Sequence, residues 1–581
     1  MATCILRDGV VFDGSGSAGA RRDVVVRDGV VQALRPPGGP VPDGAVTLDA
    51  AGCWVTPGFI DMHTHYDAEV ELLPELSESV RHGVTTVVIG SCGLSLALGD
   101  PTDLADMFCR VEGIPRRVVL PLLERVKTWE TPAEYLEHLD ALPLGPNVAA
   151  FLGHSAVRAK VMGLGRSLDA SVRPERPELQ AMVGWLDHAL DAGFLGLSIN
   201  TLPWDKMDGE QYRSRPTPSV FARWAEYRAF TRVLRRRQAL FQAVPDVSTK
   251  LNAALFYLES LGWFRPTLKT MLITLLDARA NRLAHRVVGT LTRVLNAIGG
   301  SLRYQSLPNP FDLWVDGLDV PVLEEIGAGT EALHLQDPHE RAALLRDPAY
   351  RRRFRRQWRR PFGRAWHRDL YEARILACPQ EALVGRTFGE VADARGADPI
   401  DTFLDLQAEH GDALRWYTVL GNDRPREVEW IAAHPAALIG FSDAGAHLRN
   451  MAHYNFPLRL LARVRRAQAE GRSFLTVGEA VRRLTVEIGD YLGIDAGYLR
   501  EGGRADVVVL DPTALDERVD AIHEAPIDGF GEIRRLVRRN DEAVRAVLVN
   551  GRIAWRGAEA GEGLGRERGF GSVLRGRVPA A

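Results

Sequence analysis

Between about residues 59 and 494, short runs of consecutive apolar residues alternate with longer stretches in which apolar positions recur every three or four residues. The first pattern belongs to strands covered on both faces and the second to amphipathic helices, so their alternation predicts βα units around a parallel sheet. The runs are "PGFIDMHTH", "GVTTVVIGSC", "NVAAFLGHS", "GFLGLSIN", "QALFQAVPD", "KTMLITLLD", "GSLRYQSLP" and "AALIGFSDA". Eight such units predict an α/β fold, a (β/α)8 barrel of the TIM type. The two ends read differently. "CILRDGVVFDGSG" and "RRDVVVRDGVVQALRPP" at the front, and "GGRADVVVLDPTAL" and "AVRAVLVNGRIAWRG" at the back, are short strands punctuated by glycine turns. Residues 1–58 and 495–581 are therefore expected to pair into one small β-domain beside the 59–494 barrel. A helical insertion is expected at about 310–412, between the last two barrel strands.

Barrel chemistry sits at the C-terminal ends of the strands, where the βα loops converge. Those ends carry His63 and His65, Cys92, His154, Ser198 and Asn200, Gln242, Thr274, Gln305 and Asp443. In an extended segment, residues two apart point the same way, so His63 and His65 aim at one point of the barrel mouth. Two neutral imidazoles and the carboxylate of Asp443 are suitable ligands for zinc, which accepts nitrogen and oxygen at about 2.0–2.2 Å. A lone His-x-His is equally a pair of hydrogen-bonded core histidines. "PGFID" before it and "GFSDAGAH" on the eighth strand favour the metal.

Composition narrows the partners. At 581 residues, 46% apolar and 25% charged, the chain is an ordinary globular protein with room for more than one domain, and its net charge of −3 argues against a polyanion binder. The one strongly basic run, "RRRFRRQWRRPFGRAWHRDL" within 335–378, is balanced by the neighbouring "LQDPHERAALLRDP", so it reads as a solvated or substrate-capping helix and not as a nucleic-acid or membrane surface. No apolar run approaches the roughly 20 residues of a bilayer span, and "MATCILRDGV" lacks the build of a signal peptide, so a cytoplasmic protein is expected. Cys4, Cys53, Cys92, Cys109 and Cys378 are scattered and form neither a disulfide framework nor a CxxC pair.

Taken together, "PGFIDMHTH", "VTTVVIGSCGLS", "NVAAFLGHSAVRAKVMG", "AGFLGLSIN", "HPAALIGFSDAGAH" and the terminal "GGRADVVVLDP…VRAVLVNGR" resemble the amidohydrolase superfamily, and within it the N-acyl-D-amino-acid deacylases, or D-aminoacylases. The resemblance implies a barrel flanked by a small β-sandwich built from both termini, and a metal-bridging cysteine after the second strand, where this chain has Cys92. Departures accompany it. The family's histidines at the ends of the fifth and sixth strands, which hold its tightly bound zinc, are replaced here by Gln242 and Thr274, and the fourth strand offers no lysine to bridge two metals. The economical site is one zinc ion held by His63, His65 and Asp443, with Cys92 or water completing the shell. A second zinc is the alternative, and His154 and His447 stand as substitute ligands.

The chemistry such a site supports is metal-assisted amide hydrolysis, in which Asp443 takes the proton of water and returns it to the leaving nitrogen. The expected substrate is a small N-acyl compound, foremost an N-acyl-D-amino acid. Its carboxylate calls for an arginine fork, for which Arg158, Arg213, Arg215, Arg303 and Arg449 are candidates. The loop "NTLPWDKMDGEQYRSRPTPS" after the fourth strand is placed to fold over the mouth. Two other readings remain: hydrolysis of a cyclic amide or imide, and a barrel that has lost catalysis and serves as a binding module. The oligomeric state is left open.

Overall fold

The computed structural model describes residues 3–246, 250–361 and 363–577, so Phe362 of the basic run and both chain ends lie outside the described residues. Eight short strands run parallel in the central region and are numbered here in chain order. They are β1 (Phe59–Asp61), β2 (Val84–Ile89), β3 (Asn147–Ala150, continued by Leu152–Gly153), β4 (Gly196–Asn200), β5 (Leu240–Val244), β6 (Lys269–Ile273), β7 (Leu302–Ser306) and β8 (Ala437–Ile439). Each coincides with one of the apolar runs of the sequence.

β1, β2 and the first part of β3 form one parallel block, with Asp61 opposite Val87 and Ile89 opposite Ala150. The second part of β3 begins the other block, which continues in order through β4, β5, β6, β7 and β8. Both blocks share β3, which is interrupted only at Phe151. At the opposite margin the Met62 N–H donates to the Gly440 carbonyl at 2.8 Å, and Thr64 bridges Ala444 in parallel fashion. The strands read as unbroken apolar runs because helices cover one face and side chains fill the other: in "VTTVVI" of β2 every residue is buried. Ile60, Val88, Phe151, Leu240, Met271 and Leu438 meet in one cluster, closed below by Ile488 and Leu492.

The chain ends meet in a nine-stranded sheet. Trp54–Pro57 lies between Thr3–Val11 and Val507–Leu510, with Val55 opposite Val509. Only Gly58 separates Pro57 from Phe59, so this sheet continues directly into β1. Between β7 and β8 the chain makes an excursion with a core of its own around Trp358, Trp366, Phe403 and Trp416. It contains the expected helices and also a three-stranded antiparallel sheet of Phe311–Asp316, Arg374–Ala377 and Arg415–Gly421. The basic run forms the helix Pro348–Trp358, which buries Tyr350, Phe354 and Trp358 and pairs Arg351, Arg353, Arg355 and Arg359 with Asp405, Glu331, Asp401 and Asp398. No helix among the described residues is long and apolar enough to cross a membrane.

Candidate metal centre

β1 ends at Asp61 and the chain stays extended through His65, so His63 and His65 project to the same side while Thr64 points away and donates its hydroxyl to the Val88 carbonyl. The two Nε2 atoms lie 3.2 Å apart. Cys92 Sγ stands 3.4 Å from His63 Nε2. Asp443 Oδ1, delivered from just beyond β8, stands 3.4 Å from His63 Nε2 and 3.3 Å from His65 Nε2. Among the described residues His63, His65 and Cys92 are the group of metal-capable side chains whose donor atoms converge. Bonds of about 2.0–2.3 Å in a tetrahedron separate neighbouring ligand atoms by about 3.3–3.8 Å, the spacing these donors already have.

A partner stands on the far side of each ring. His63 Nδ1 donates to Gln305 Oε1 at 2.6 Å, which leaves its Nε2 lone pair aimed at the common point, and His65 Nδ1 faces the Glu112 carboxylate at 3.2 Å as a charge pair without hydrogen-bond geometry. Glu112 is the last residue of helix α1 (Pro101–Glu112), and its carbonyl also accepts the backbone N–H of His447 at 2.6 Å. Gln242 Oε1 accepts the N–H of Cys92 at 3.1 Å. Two glycines are required by contact. At Gly90 (φ +75°) a Cβ would lie 2.1 Å from the Phe151 carbonyl oxygen, and at Gly445 (φ +87°) one would lie 2.7 Å from the His65 carbonyl. Cys92, Asp443 and His447 also occupy the left-handed region, at φ 56°, 60° and 48°. Such conformations cost of order 1–3 kcal/mol each and persist at functional sites because the surroundings over-determine them.

The field at the convergence point favours positive charge. Burial pushes the His63 imidazolium down to about 3, against the pull of Asp443, so this ring is neutral and able to coordinate. Burial opposes charge on His65 too, yet Glu112, Asp443 and Cys92 together raise its pKa well above the ordinary value. Asp443 is held below the usual carboxylate range: burial would raise it, and His65, His63 and His447 more than reverse that. Burial lifts Glu112 to about 8 and the Cys92 thiol to about 12, so Cys92 becomes a thiolate only against a cation. Two neutral-capable imidazoles, one thiol and one carboxylate in a pocket that draws positive charge fit a zinc-type divalent ion.

The other strand-end residues divide. Gln242 and Gln305 support His63, and Ser198 binds the Gly90 carbonyl and the Gly93 N–H. Asn200 bonds Asp205, while Thr274 turns to the Gln305 carbonyl. His154 is not at the centre. It is fully buried against Ser219 (2.9 Å), Glu226 (3.1 Å), Tyr227 and Phe230. His447 stands 4.0 Å from Asp443 Oδ2. Four of the candidate arginines are ion-paired: Arg158 with Glu226, Arg213 with Asp208, Arg303 with Glu487 and Arg449 with Glu524. Arg215 caps the Leu168 carbonyl. Sequence reasoning missed Glu112 and Asp205, the second of which burial raises to about 6 beside His65 and Asp443. Neither lies in a strand-end motif, and only the helix placement of "CRVEG" identifies Glu112.

The sequence profile of the amidohydrolase family matches residues 46–230. An uncharacterized protein of Mycobacterium tuberculosis is 49% identical over 98% of this chain and 95% of its own length. The N-acyl-D-aspartate deacylase of Alcaligenes xylosoxydans xylosoxydans is 35% identical over 34% of this chain and 37% of its own length. Among solved structures, the N-acyl-D-glutamate deacylase of Bordetella bronchiseptica, complexed with zinc and a phosphonate inhibitor, superposes with a TM-score of 0.63 at 24% identity, covering 98% of this chain and 99% of that one.

Proposed function

From the match of residues 46–230 to the amidohydrolase family and the resemblance to its deacylases, we propose that the chain is a metal-dependent hydrolase of a carbon–nitrogen bond other than a peptide bond, and that its substrate is an N-acyl-D-amino acid. We read the eight parallel strands as a closed barrel over residues 59–494, with the 310–412 excursion inserted and the segments 1–58 and 495–581 joined in a β-sandwich beside it. The observation that carries the functional reading is the convergence of His63 Nε2, His65 Nε2, Cys92 Sγ and Asp443 Oδ1 on one point of the mouth. These four would hold one zinc ion. When bound, such an ion supplies Lewis acidity that polarises an amide carbonyl and acidifies water.

The chain's own residues supply the rest. Gln305 accepts from His63 Nδ1 and keeps that imidazole in the coordinating tautomer, while the Glu112 carboxylate faces His65 Nδ1 as a neighbouring charge. Asp443, which keeps part of its carboxylate open at the mouth, is the group that takes a proton from water and delivers it to the leaving nitrogen. Gln242 stands where the family resemblance implies a histidine, and it bonds the Cys92 backbone, which supports a single-metal centre. The names of the deacylase relatives support an acylated amino acid as substrate.

The test measures zinc content and hydrolysis of N-acyl-D-amino acids, their L-enantiomers and cyclic imides. Asp443→Asn is expected to retain zinc and to lower turnover by at least about 10²-fold, the lower bound of what general acid–base transfer contributes. His63→Ala with His65→Ala is expected to lose both metal and activity. Full zinc occupancy in the double variant, or near-normal turnover in Asp443→Asn, would overturn the assignment.

A further inference from the structure

Helix α2 (Ala284–Ala297), which follows β6, buries His285, Gly289, Thr292 and Leu295 on its inner side. Its outer side carries a second apolar stripe. Leu283 and Ile298, the two caps of the helix, are 71% and 51% exposed, and Val287, Leu291 and Val294 between them are 64%, 49% and 51% exposed. The intervals of four, four, three and four residues align all five in one row about 22 Å long at ~1.5 Å per residue. Beyond its C-terminal end the row is extended by Trp263, whose indole N–H donates to the Ile298 carbonyl at 2.8 Å, and by Phe264, which is fully exposed. Seven exposed side chains of this size present on the order of 800 Å² of apolar surface, more than the ~300–600 Å² of the largest patch on a typical monomer and about what each partner contributes to a standard interface.

The row also maps onto itself when reversed. Leu283 and Ile298 lie equally far from a point beside Leu291, as do Val287 and Val294. Self-complementarity under a two-fold axis is the requirement of an isologous contact. We propose that α2 is the interface of a two-fold homodimer, in which two copies pack their α2 helices antiparallel and cross at Leu291. The charges are compatible with this direction. α2 carries Arg286, which pairs with Glu427 at 2.7 Å and stacks over Trp430 of its own chain, and Arg293, which in the antiparallel register comes level with Val288 of the other copy, whereas a parallel pairing would set Arg293 against itself. Trp263 and Phe264 then reach the first turn of the other helix and cover Leu283. An arginine-flanked apolar helix also suits a membrane surface, but lipid makes no use of a row symmetric about its centre.

The full-length chain is expected to run at twice the monomer mass in light scattering at micromolar concentration. Leu291→Arg, which sets guanidinium against guanidinium at the axis, is expected to raise the dimer dissociation constant by on the order of 30-fold or more while leaving the thermal transition in place. Leu291→Cys should form a disulfide-linked dimer on mild oxidation. Leu283→Cys should not, because the antiparallel register holds its copy about 22 Å away. A wild-type monomer throughout that range, or equal cross-linking of the two cysteine variants, would overturn the proposal. Sedimentation of the monomer with phosphatidylglycerol vesicles would also overturn it, assigning the row to a lipid surface instead.

Discussion

His65 faces a carboxylate on each side, Asp443 at Nε2 and Glu112 at Nδ1, and the second comes from an element remote in sequence. Replacing Glu112 by Leu removes the buried carboxylate that faces Nδ1 and orients the ring. Losses of this kind reduce metal affinity by about 10–100-fold. Competition titration with a zinc indicator is expected to show that loss for Glu112→Leu, and partial recovery for Glu112→Gln, whose amide oxygen can stand where the carboxylate oxygen faces Nδ1. Equal affinities for the three proteins would show that Glu112 does not position the ring. At this scale the sequence is readable where chemistry and backbone periodicity coincide, as at His63 and His65, two residues apart on one strand. Glu112 was invisible because its role depends on where the end of α1 comes to rest over the mouth, which is a tertiary fact.

The hairpin of Ile522–Pro526 and Arg534–Arg538 joins elements that sequence assigned to separate domains. Arg535 bonds Glu69 at 2.6 Å beside the loop after β1, and Arg538 bonds Asp312 at 2.7 Å on the first strand of the excursion. Burial would raise the pKa of Asp312, but Arg538, His453 and Arg459 reverse this and hold it below the ordinary range. Burial likewise lowers His453 to about 3. Both groups have folded values below their unfolded ones. Each therefore contributes stability above its unfolded value, near 6.5 for histidine and 3.9 for aspartate, and loses it as pH falls through that value toward the folded one. Denaturant melts should show stability falling from about pH 6.5 downward, with His453 contributing beside the likewise depressed His63, His367 and His434, and falling further below about pH 4, with Asp312 contributing beside Glu78 and Asp443. Arg538→Met, which strands the Asp312 carboxylate, is expected to cost about 3–5 kcal/mol at neutral pH and to shrink the lower step. A lower step of unchanged size would show that Asp312 does not contribute to it. The eight parallel strands were readable because each is an unbroken apolar run. The antiparallel strands of the excursion were not, because "FDLWVD" and "RWYTVLG" mix polar and aromatic residues within a region of helical composition.

Across the molecule, glycine-punctuated strands mark both chain ends in the sequence, but the order in which they interleave is not legible there, since no local signal says which strand lies beside which. Val507–Leu510 is the inner strand between Trp54–Pro57 and Val544–Val549, so removing residues 505–581 uncovers Val55 and leaves Trp54–Pro57 with one open edge. Calorimetry of that truncation is expected to show no cooperative transition, and a midpoint within a few degrees of the full chain would mean that the rest of the molecule stands without the sheet. The same interleaving has a consequence for synthesis. Pro57 leaves the ribosome about 450 residues ahead of Val507, which at ~5–20 residues per second is a wait of roughly 20–90 s. During that interval Trp54–Pro57 lacks its partner Val507–Leu510, and His63 and His65 after β1 and Cys92 after β2 have emerged while Asp443 is still to come. The cell must therefore keep both a bare β-edge and three side chains of the proposed metal centre out of trouble until translation has almost ended.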